Sequence, residues 1–119
     1  MKTVFIVDDS ETNLMAAKQA LDGNYKSYAL ISAEGMFKLM ERIVPHLILL
    51  DIEMPGMSGL ETMAKLKANP KTQKIPVILL TAHSDKETIL RGLNQEPADY
   101  IVKPFEPNLL LARIQQYIL

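Results

Sequence analysis

Charged and hydroxyl side chains stand at the ends of four short apolar runs of the sequence. Asp8-Asp9, Asp51, Thr81 and Lys103-Pro104 directly follow the runs 4–7, 47–50, 77–80 and 98–102. If these runs are parallel strands of one sheet, three carboxylates, a hydroxyl and an ammonium converge at the edge where open α/β sheets bind ligands. This set of groups is suited to a divalent cation and a phosphoryl group.

The three carboxylates predict a metal site. Asp8, Asp9 and Asp51 would repel one another if they met without a cation. Hard oxygen ligands, in a chain that has no cysteine and only two histidines, favour Mg²⁺, with Mn²⁺ as an alternative. A single Asp after a strand more often caps the next helix, so the prediction rests on the set of three.

The composition predicts one soluble domain that spans residues 1–119. The chain has 119 residues, 48% of them hydrophobic and 23% charged, which is ordinary for a single globular domain. The net charge of -1 and the scattered Lys and Arg residues argue against direct binding of nucleic acid or of an acidic membrane. No apolar stretch approaches the length of a membrane span. With no cysteine and no signal-peptide pattern, we expect a cytoplasmic location.

Short apolar segments alternate with segments of helical periodicity along the chain. The predicted strands are Thr3–Val7, Lys26–Ile31, His46–Leu50, Ile75–Leu80 and Ala98–Val102. The third and fourth are continuous apolar runs, as is typical of strands buried on both faces. The second is more polar near its start and suits an edge strand.

Five helices are predicted between and after these strands. Ser10, Ser32 or Ala33, Ser58, Ser84 or Asp85, and Pro107 mark their starts. Ser58 has Glu61 three residues later, which is the pattern of a capping box. The second helix is expected to carry an apolar face that extends to Ile43, before Pro45. In the last helix, Tyr117 is expected on the apolar face. Strands and helices in this alternation predict a parallel α/β sheet with helices on both faces.

Four sequence blocks together resemble the receiver domain of bacterial two-component response regulators. These blocks are Val7 to Ser10, Leu49 to Gly59, Leu80 to Ala82 and Asp99 to Phe105. Their order and spacing match the family, and the resemblance extends over essentially the whole chain. It implies a flavodoxin-like, doubly wound (βα)5 fold whose five-stranded parallel sheet has the order 2-1-3-4-5.

The resemblance also implies the role of Asp51 and its metal. Asp51 would accept a phosphoryl group from the phosphohistidine of a sensor histidine kinase or a phosphotransfer protein. Asp9, Asp51 and the main-chain carbonyl of Glu53 would bind Mg²⁺ directly, and Asp8 would act mainly through water. The protein would then be a switch that assists its own phosphorylation and slow dephosphorylation, not a conventional enzyme.

Further residues receive roles from the same resemblance. Lys103 would pair with Asp51 and later with the phosphoryl oxygen, and a cis bond to Pro104 would direct its ammonium into the site. Thr81 and Ala82 would contact the phosphoryl group, and the movement of Thr81 would be coupled to Tyr100 as the switch aromatic. Tyr100 could equally be an ordinary half-buried strand residue.

The output surface implied by the resemblance is the fourth helix, fifth strand and fifth helix, within residues 85–119. It would contact an attached output domain or a downstream protein, with phosphorylation-dependent homodimerisation as an alternative. Where the family usually has Gly-Ala, this chain has Glu96-Pro97, which removes the glycine best suited to a left-handed backbone. Glu53 and His83 occupy positions that, in the family, modulate the attack of water on the acyl phosphate. His46 is expected at the surface and not at the metal.

Other classes of protein remain as alternatives at this stage. A phosphatase of the haloacid dehalogenase type also uses an aspartyl nucleophile, Mg²⁺, Thr and Lys. Its nucleophile usually ends the first strand, however, and an Asp follows two residues later. An FMN-binding flavodoxin-like module would need a phosphate-binding loop after the first strand, which this chain lacks. A receiver-like protein that only binds partners is disfavoured because every chemical group is present.

Overall fold

The computed structural model describes residues 1–82, 91, 94 and 96–119. The fourth predicted helix and His83 lie outside these described residues. In the described part of the chain, no helix has the length and apolar character that crossing a membrane would require.

Five parallel strands form one sheet in the order β2-β1-β3-β4-β5. The strands are β1 (Thr3–Val7), β2 (Lys26–Leu30), β3 (Leu47–Asp51), β4 (Val77–Thr81) and β5 (Asp99–Val102). This arrangement confirms the predicted fold and places β2 at an edge, as its polar start indicated. β3 and β4 are buried along their whole length, as their continuous apolar sequences predicted.

Helices cover both faces of the sheet. α1 (Glu11–Leu21) and the C-terminal helix (Pro107–Tyr117) lie on one face, and α2 (Ala33–Met40) and α3 (Gly59–Ala68) on the other. Alternate residues of β1, β3 and β4 supply the two apolar cores because successive side chains of a strand point to opposite faces. In β1, for example, Ile6 packs in the first core and Phe5 in the second.

The helix starts follow the predicted caps. Ser10, Ser32 and Ser58 each accept a hydrogen bond from a backbone N–H in the first turn of α1, α2 and α3. Ser58 and Glu61 complete the predicted capping box. Pro107 lies in the first turn of the C-terminal helix, and the side chain of Glu106 caps it.

Two expectations about helix ends were wrong. α2 ends at Met40 and does not continue toward Pro45. The N–H of Glu41 donates to the carbonyl of Lys38 and that of Arg42 to the carbonyl of Leu39, each three residues earlier, and these bonds close the last turn. Tyr117 is not a core residue, since 39% of it is exposed. Its hydroxyl instead donates to the carbonyl of Ala98 at 2.8 Å.

The C-terminal helix is tied to the sheet by polar contacts as well as by its apolar face. Arg113 Nη1 lies 2.8 Å from Asp99 Oδ2 at the start of β5. The buried Tyr25 hydroxyl donates to the carbonyl of Ile118 at 2.7 Å, and burial raises the pKa of this phenol. These contacts fix the helix beside β5, the strand that leads to Lys103.

Glu96 takes the backbone conformation that glycine would adopt most easily. Its φ is +55°, in the left-handed region, and Pro97 follows it and further restricts its backbone. The next amide, the N–H of Ala98, donates to Val77 at 2.9 Å and so fixes the entry to β5. A residue with a side chain therefore holds a strained backbone conformation two residues before the amide that pairs with β4.

Replacing Glu96 with glycine is expected to raise the free energy of unfolding by about 0.5–1 kcal/mol. A left-handed backbone costs a residue with a side chain roughly 1–2 kcal/mol, and the greater freedom of glycine in the unfolded chain cancels part of the gain. Urea denaturation measures the difference. Glu96→Ala is the matched control, because it removes the carboxylate but keeps the Cβ. Equal stabilisation by both substitutions would assign the effect to charge and contradict the backbone explanation.

Candidate functional site

The three predicted carboxylates meet at the carboxyl ends of two neighbouring strands. Val7 of β1 pairs with Leu50 of β3, so the residues that follow, Asp8 and Asp51, are neighbours. One carboxylate oxygen from each of Asp8, Asp9 and Asp51 lies within 4.8 Å of the other two. Asp8 and Asp51 are 1% and 2% exposed, whereas Asp9 is exposed at the mouth of the site.

This carboxylate cluster fits a magnesium ion. In an octahedral site with Mg–O distances near 2.1 Å, two oxygens are at most about 4.2 Å apart, and the three carboxylate oxygens here lie within 4.8 Å of one another. The exposure of Asp9 leaves one side of the cluster open to water, and Mg²⁺ usually keeps several water ligands. The donor atoms are all hard carboxylate oxygens, so both their chemistry and their spacing suit this ion.

Asp8 is held in place through both of its carboxylate oxygens. Oδ1 accepts a hydrogen bond from the Ser10 N–H at 2.9 Å, and Oδ2 accepts one from Lys103 Nζ at 3.1 Å. The contact between Lys103 and Asp8 was not predicted from the sequence. The family resemblance implied a contact of Lys103 with Asp51 alone. The direction of a long Lys side chain cannot be predicted from strand spacing, because it depends on which acceptors surround its ammonium group.

Lys103 bridges two of the carboxylates. Its Nζ lies 3.1 Å from Asp8 and 3.3 Å from Asp51, and its side chain is 10% exposed. The Lys103-Pro104 bond is cis, as predicted. Burial alone would lower the pKa of the Lys103 ammonium, but the hydrogen bond to Asp8 and the charges of Asp51 and Asp8 outweigh burial and raise it. Lys103 is therefore a permanent cation between the two acids.

Asp51 is the carboxyl group most perturbed by this environment. Burial, followed by the negative charge of Asp8, raises its pKa to about 7. Lys103 and the Glu53 N–H, which donates to Asp51 Oδ1 at 3.2 Å, oppose this rise. Three ionised carboxylates beside one ammonium would leave two uncompensated negative charges, the charge that a divalent cation neutralises.

The other predicted residues differ in how deeply they are buried. Thr81 is fully buried at the end of β4, and its carbonyl accepts the Lys103 N–H at 2.6 Å. Ala82 is exposed beside it. Tyr100 lies on β5 and is 37% exposed, and Glu53 is exposed after β3. His46 lies away from the cluster, where its Nδ1 accepts the Thr3 N–H at 3.0 Å.

The position of Asp51 in the sheet distinguishes between two kinds of aspartyl site. Asp51 is the last residue of β3, the third strand, and is followed two residues later by Glu53. The haloacid dehalogenase arrangement expects the nucleophile after the first strand and an Asp two residues later. The described residues therefore do not support that alternative.

Comparison with known families agrees with this arrangement. The sequence matches the response regulator receiver domain over residues 4–115. The chain belongs to this family. The receiver domain resemblance inferred from the four sequence blocks is thereby confirmed.

Curated relatives of this receiver domain are longer regulators. A probable cyclic di-GMP phosphodiesterase from Vibrio cholerae serotype O1 is 37% identical over 116 residues, covering 98% of this chain and 26% of that protein. The phosphate regulon transcriptional regulatory protein PhoB of Pseudomonas aeruginosa is 38% identical over 117 residues, covering 96% and 50%. Response regulator PleD of Caulobacter vibrioides is 33% identical over 113 residues, covering 94% and 25%. The chain thus spans between a quarter and a half of these relatives.

Solved receiver structures have the same fold. The BeF3-activated DrrB receiver domain superposes with a TM-score of 0.89 at 30% identity, over 99% of this chain and 97% of that one. A response regulator receiver domain protein from Methanospirillum hungatei JF-1 gives a TM-score of 0.85 at 30% identity, over 98% and 92%. The Mn²⁺-bound form of response regulator Rcp1, at 22% identity and a TM-score of 0.82, shares the fold over 98% and 91%.

Replacing Asp51 with Asn is expected to stabilise the metal-free receiver domain at neutral and higher pH. Burial and the charge of Asp8 raise the pKa of Asp51 to about 7 in the folded protein, from an ordinary value of 3.8. The folded protein therefore binds more protons between these values, and its free energy of unfolding falls as the pH rises through this window. Asn removes the penalty, which is on the order of 2 kcal/mol after a discount for solvent screening.

Chemical denaturation in EDTA at about pH 8 and about pH 4 tests this sign, since the gain should be present at the higher pH and small at the lower one. Asp22→Asn, at an exposed carboxyl beyond the end of α1, is the control and should change little at either pH. A gain for Asp51→Asn that is the same at both pH values would contradict the electrostatic explanation.

Proposed function

We propose that this receiver domain is the phosphoacceptor switch of a two-component system and that Asp51 carries the phosphoryl group. The observation that supports this most directly is the convergence of Asp51 with Asp8, Asp9 and Lys103 at one edge of the sheet. Such a set presents one nucleophilic carboxylate among groups that can balance the charge of a transferring phosphoryl group.

The proposed reaction transfers a phosphoryl group from a phosphohistidine of a kinase or phosphotransfer protein. A carboxylate oxygen of Asp51 attacks phosphorus as the N–P bond of the phosphohistidine breaks. The bonding electrons leave with the imidazole nitrogen, which then takes up a proton. The product on this chain is an acyl phosphate at Asp51, and later attack by water returns the free carboxylate and inorganic phosphate.

Asp9, Asp51 and the carbonyl of Glu53 would hold a Mg²⁺ ion, or Mn²⁺ in its place, and Asp8 would contact it mainly through water. Once bound, this ion supplies positive charge for the phosphoryl oxygens. The proposed role of Asp8 agrees with its present contacts, because both of its carboxylate oxygens already accept hydrogen bonds from Ser10 and Lys103.

Lys103, Thr81 and Ala82 would bind the phosphoryl group from the other side. Lys103 Nζ lies 3.3 Å from Asp51, so the ammonium can move from the carboxylate to a phosphoryl oxygen without a large displacement. Thr81 would donate its hydroxyl and Ala82 its backbone N–H. The small, exposed Ala82 supports this role because it leaves room at the entrance to the site.

Switching would pass from Thr81 to Tyr100 and then to the output surface. Tyr100 lies on β5, which pairs with β4 so that Thr81 is opposite Val102. Among the described residues of this surface, Tyr100, Val102, Leu109 and Tyr117 are between 37% and 44% exposed. This partly apolar surface could accept an output domain, a downstream protein or a second phosphorylated copy.

The length of the relatives supports an attached output domain in the whole protein. They include a transcriptional regulatory protein and a probable cyclic di-GMP phosphodiesterase, of which this chain spans about half and about a quarter. We therefore place this receiver upstream of an effector whose activity it controls. The choice among effectors rests on the sequence of the full open reading frame.

Incubation with acetyl phosphate and Mg²⁺ should add one phosphoryl group to the chain. Asp51→Asn should abolish this addition because Asn has no nucleophilic carboxylate, whereas Asp22→Asn should be labelled like the parent. Intact-protein mass spectrometry, with and without EDTA, measures the addition. Labelling that survives Asp51→Asn would refute the assignment, and repeated turnover of a phosphomonoester would favour a phosphatase instead.

Lys103→Ala should bind Mg²⁺ at least as tightly as the parent while losing most of its response to phosphorylation. Removing the ammonium leaves the three carboxylates with less competing positive charge. Asp9→Ala, in contrast, removes a proposed ligand and should weaken Mg²⁺ binding by roughly tenfold or more. Isothermal titration calorimetry compares the two variants. A loss of affinity in Lys103→Ala as large as in Asp9→Ala would contradict the proposed role of Lys103.

A further inference from the structure

Gly59, the first residue of α3, lies directly against the backbone of the phosphoacceptor. It is buried, and its N–H donates to the carbonyl of Ile52 at 2.9 Å. A Cβ placed on Gly59 would overlap the carbonyl carbon and oxygen of Asp51 and the Cα of Ile52, all within 3.0 Å. All three are backbone atoms, so no side chain could rotate away to make room.

α3 and the Asp51-Ile52 peptide are both held in place, so neither can move away from the other. On one side, the Ser58-Glu61 capping box fixes the start of α3, and its buried residues Met63 and Leu66 anchor the helix in the core. On the other side, Asp51 pairs with Leu80 in β4 and the Ile52 N–H donates to Leu80 at 2.9 Å. A side chain at residue 59 would therefore push on the peptide that carries the Asp51 carboxylate.

The size of the displacement can be estimated from ordinary contact distances. Carbon atoms in van der Waals contact lie about 3.5–4.0 Å apart, so relieving this overlap requires a shift of about 1 Å at the Asp51-Ile52 peptide. A misplacement of about 1 Å at a reacting group can cost roughly a hundredfold in rate. The same shift would move Glu53, whose N–H binds Asp51 Oδ1.

We propose that Gly59 is a positioning residue for Asp51: its missing side chain allows α3 to hold the Asp51-Ile52 peptide in the register that brings the carboxylate to Asp8, Asp9 and Lys103. This inference rests on the proposed function of Asp51. It adds a requirement at the first residue of α3, namely the absence of a side chain. This requirement is separate from the proposed metal-binding and phosphate-binding roles.

The test compares three variants of the same chain. Gly59→Ala introduces the Cβ. Gly35→Ala makes the same chemical change in the first turn of α2, where an added Cβ meets only the Ser32 hydroxyl, at 3.3 Å. Leu66→Ala weakens the packing of α3 in the core and should lower the melting temperature, so it controls for loss of stability alone. All measurements are made well below the melting temperature of each variant.

Three measurements separate positioning from stability. Electron paramagnetic resonance of Mn²⁺ gives the metal affinity, acetyl phosphate gives the rate of phosphorylation, and ¹H–¹⁵N spectra report the amides of Asp51, Ile52 and Glu53. For Gly59→Ala we expect Mn²⁺ affinity reduced by about tenfold, phosphorylation slowed by roughly 10–100-fold, and shifted amide signals at these three residues. Gly35→Ala and Leu66→Ala should stay within about twofold of the parent in affinity and rate.

Each outcome decides the proposal. Parental affinity and rate in Gly59→Ala would overturn it, as would equal losses in Leu66→Ala. If Gly59→Ala fails to fold even in an osmolyte that strengthens burial, the contact serves the whole fold and the positioning role is also overturned. If the parent protein binds Mn²⁺ but is never phosphorylated, the proposed function fails, while the affinity and amide measurements still test the role of Gly59.

Discussion

The repulsion between buried carboxylates is the constraint on which the site depends. Asp8 and Asp51 are almost completely buried, and both lie within hydrogen-bonding or ion-pair distance of Lys103. One ammonium cannot balance three acids, and burial, followed by the negative charge of Asp8, raises the pKa of Asp51. The metal-free site therefore has an excess of negative charge. This excess lowers the stability of the metal-free domain, and it also favours the binding of a cation.

The strand order converts residues that are distant in sequence into this cluster. Because β1 lies between β2 and β3, the end of the first strand is adjacent to the end of the third, and Asp8 meets Asp51. The apolar residues before each acid are buried on both faces, so they fix the height at which each carboxylate emerges. The capped helix starts that follow carry the chain away from the edge and leave the acids at an open end of the sheet.

The sequence was sufficient to predict the strands, the edge position of β2, the central positions of β3 and β4, the serine caps of α1, α2 and α3 and the convergence of the acids. Each of these depends on local patterns or on the general geometry of parallel sheets. The order of strands came from the family resemblance. Individual side-chain contacts could not be predicted from the sequence. The Lys103-Asp8 bond and the hydroxyl contact of Tyr117 depend on packing between residues that are distant in the chain. The positive φ of Glu96 contradicts the usual preference of its residue type, so it was not predicted from the sequence.

The strands differ in how many neighbouring strands they pair with. This difference explains why a change of charge at Asp51 would move one part of the sheet more than another. β1 and β3 each have a strand on both sides, whereas β5 pairs with β4 alone. Lys103 follows β5 directly, and its N–H is bonded to Thr81. Under the proposed function, the ammonium would follow a new negative charge, and the Asp99-Arg113 and Tyr117-Ala98 contacts with the C-terminal helix would resist that movement. The force would then pass along β5 to this helix, while the acids would stay anchored in the central strands.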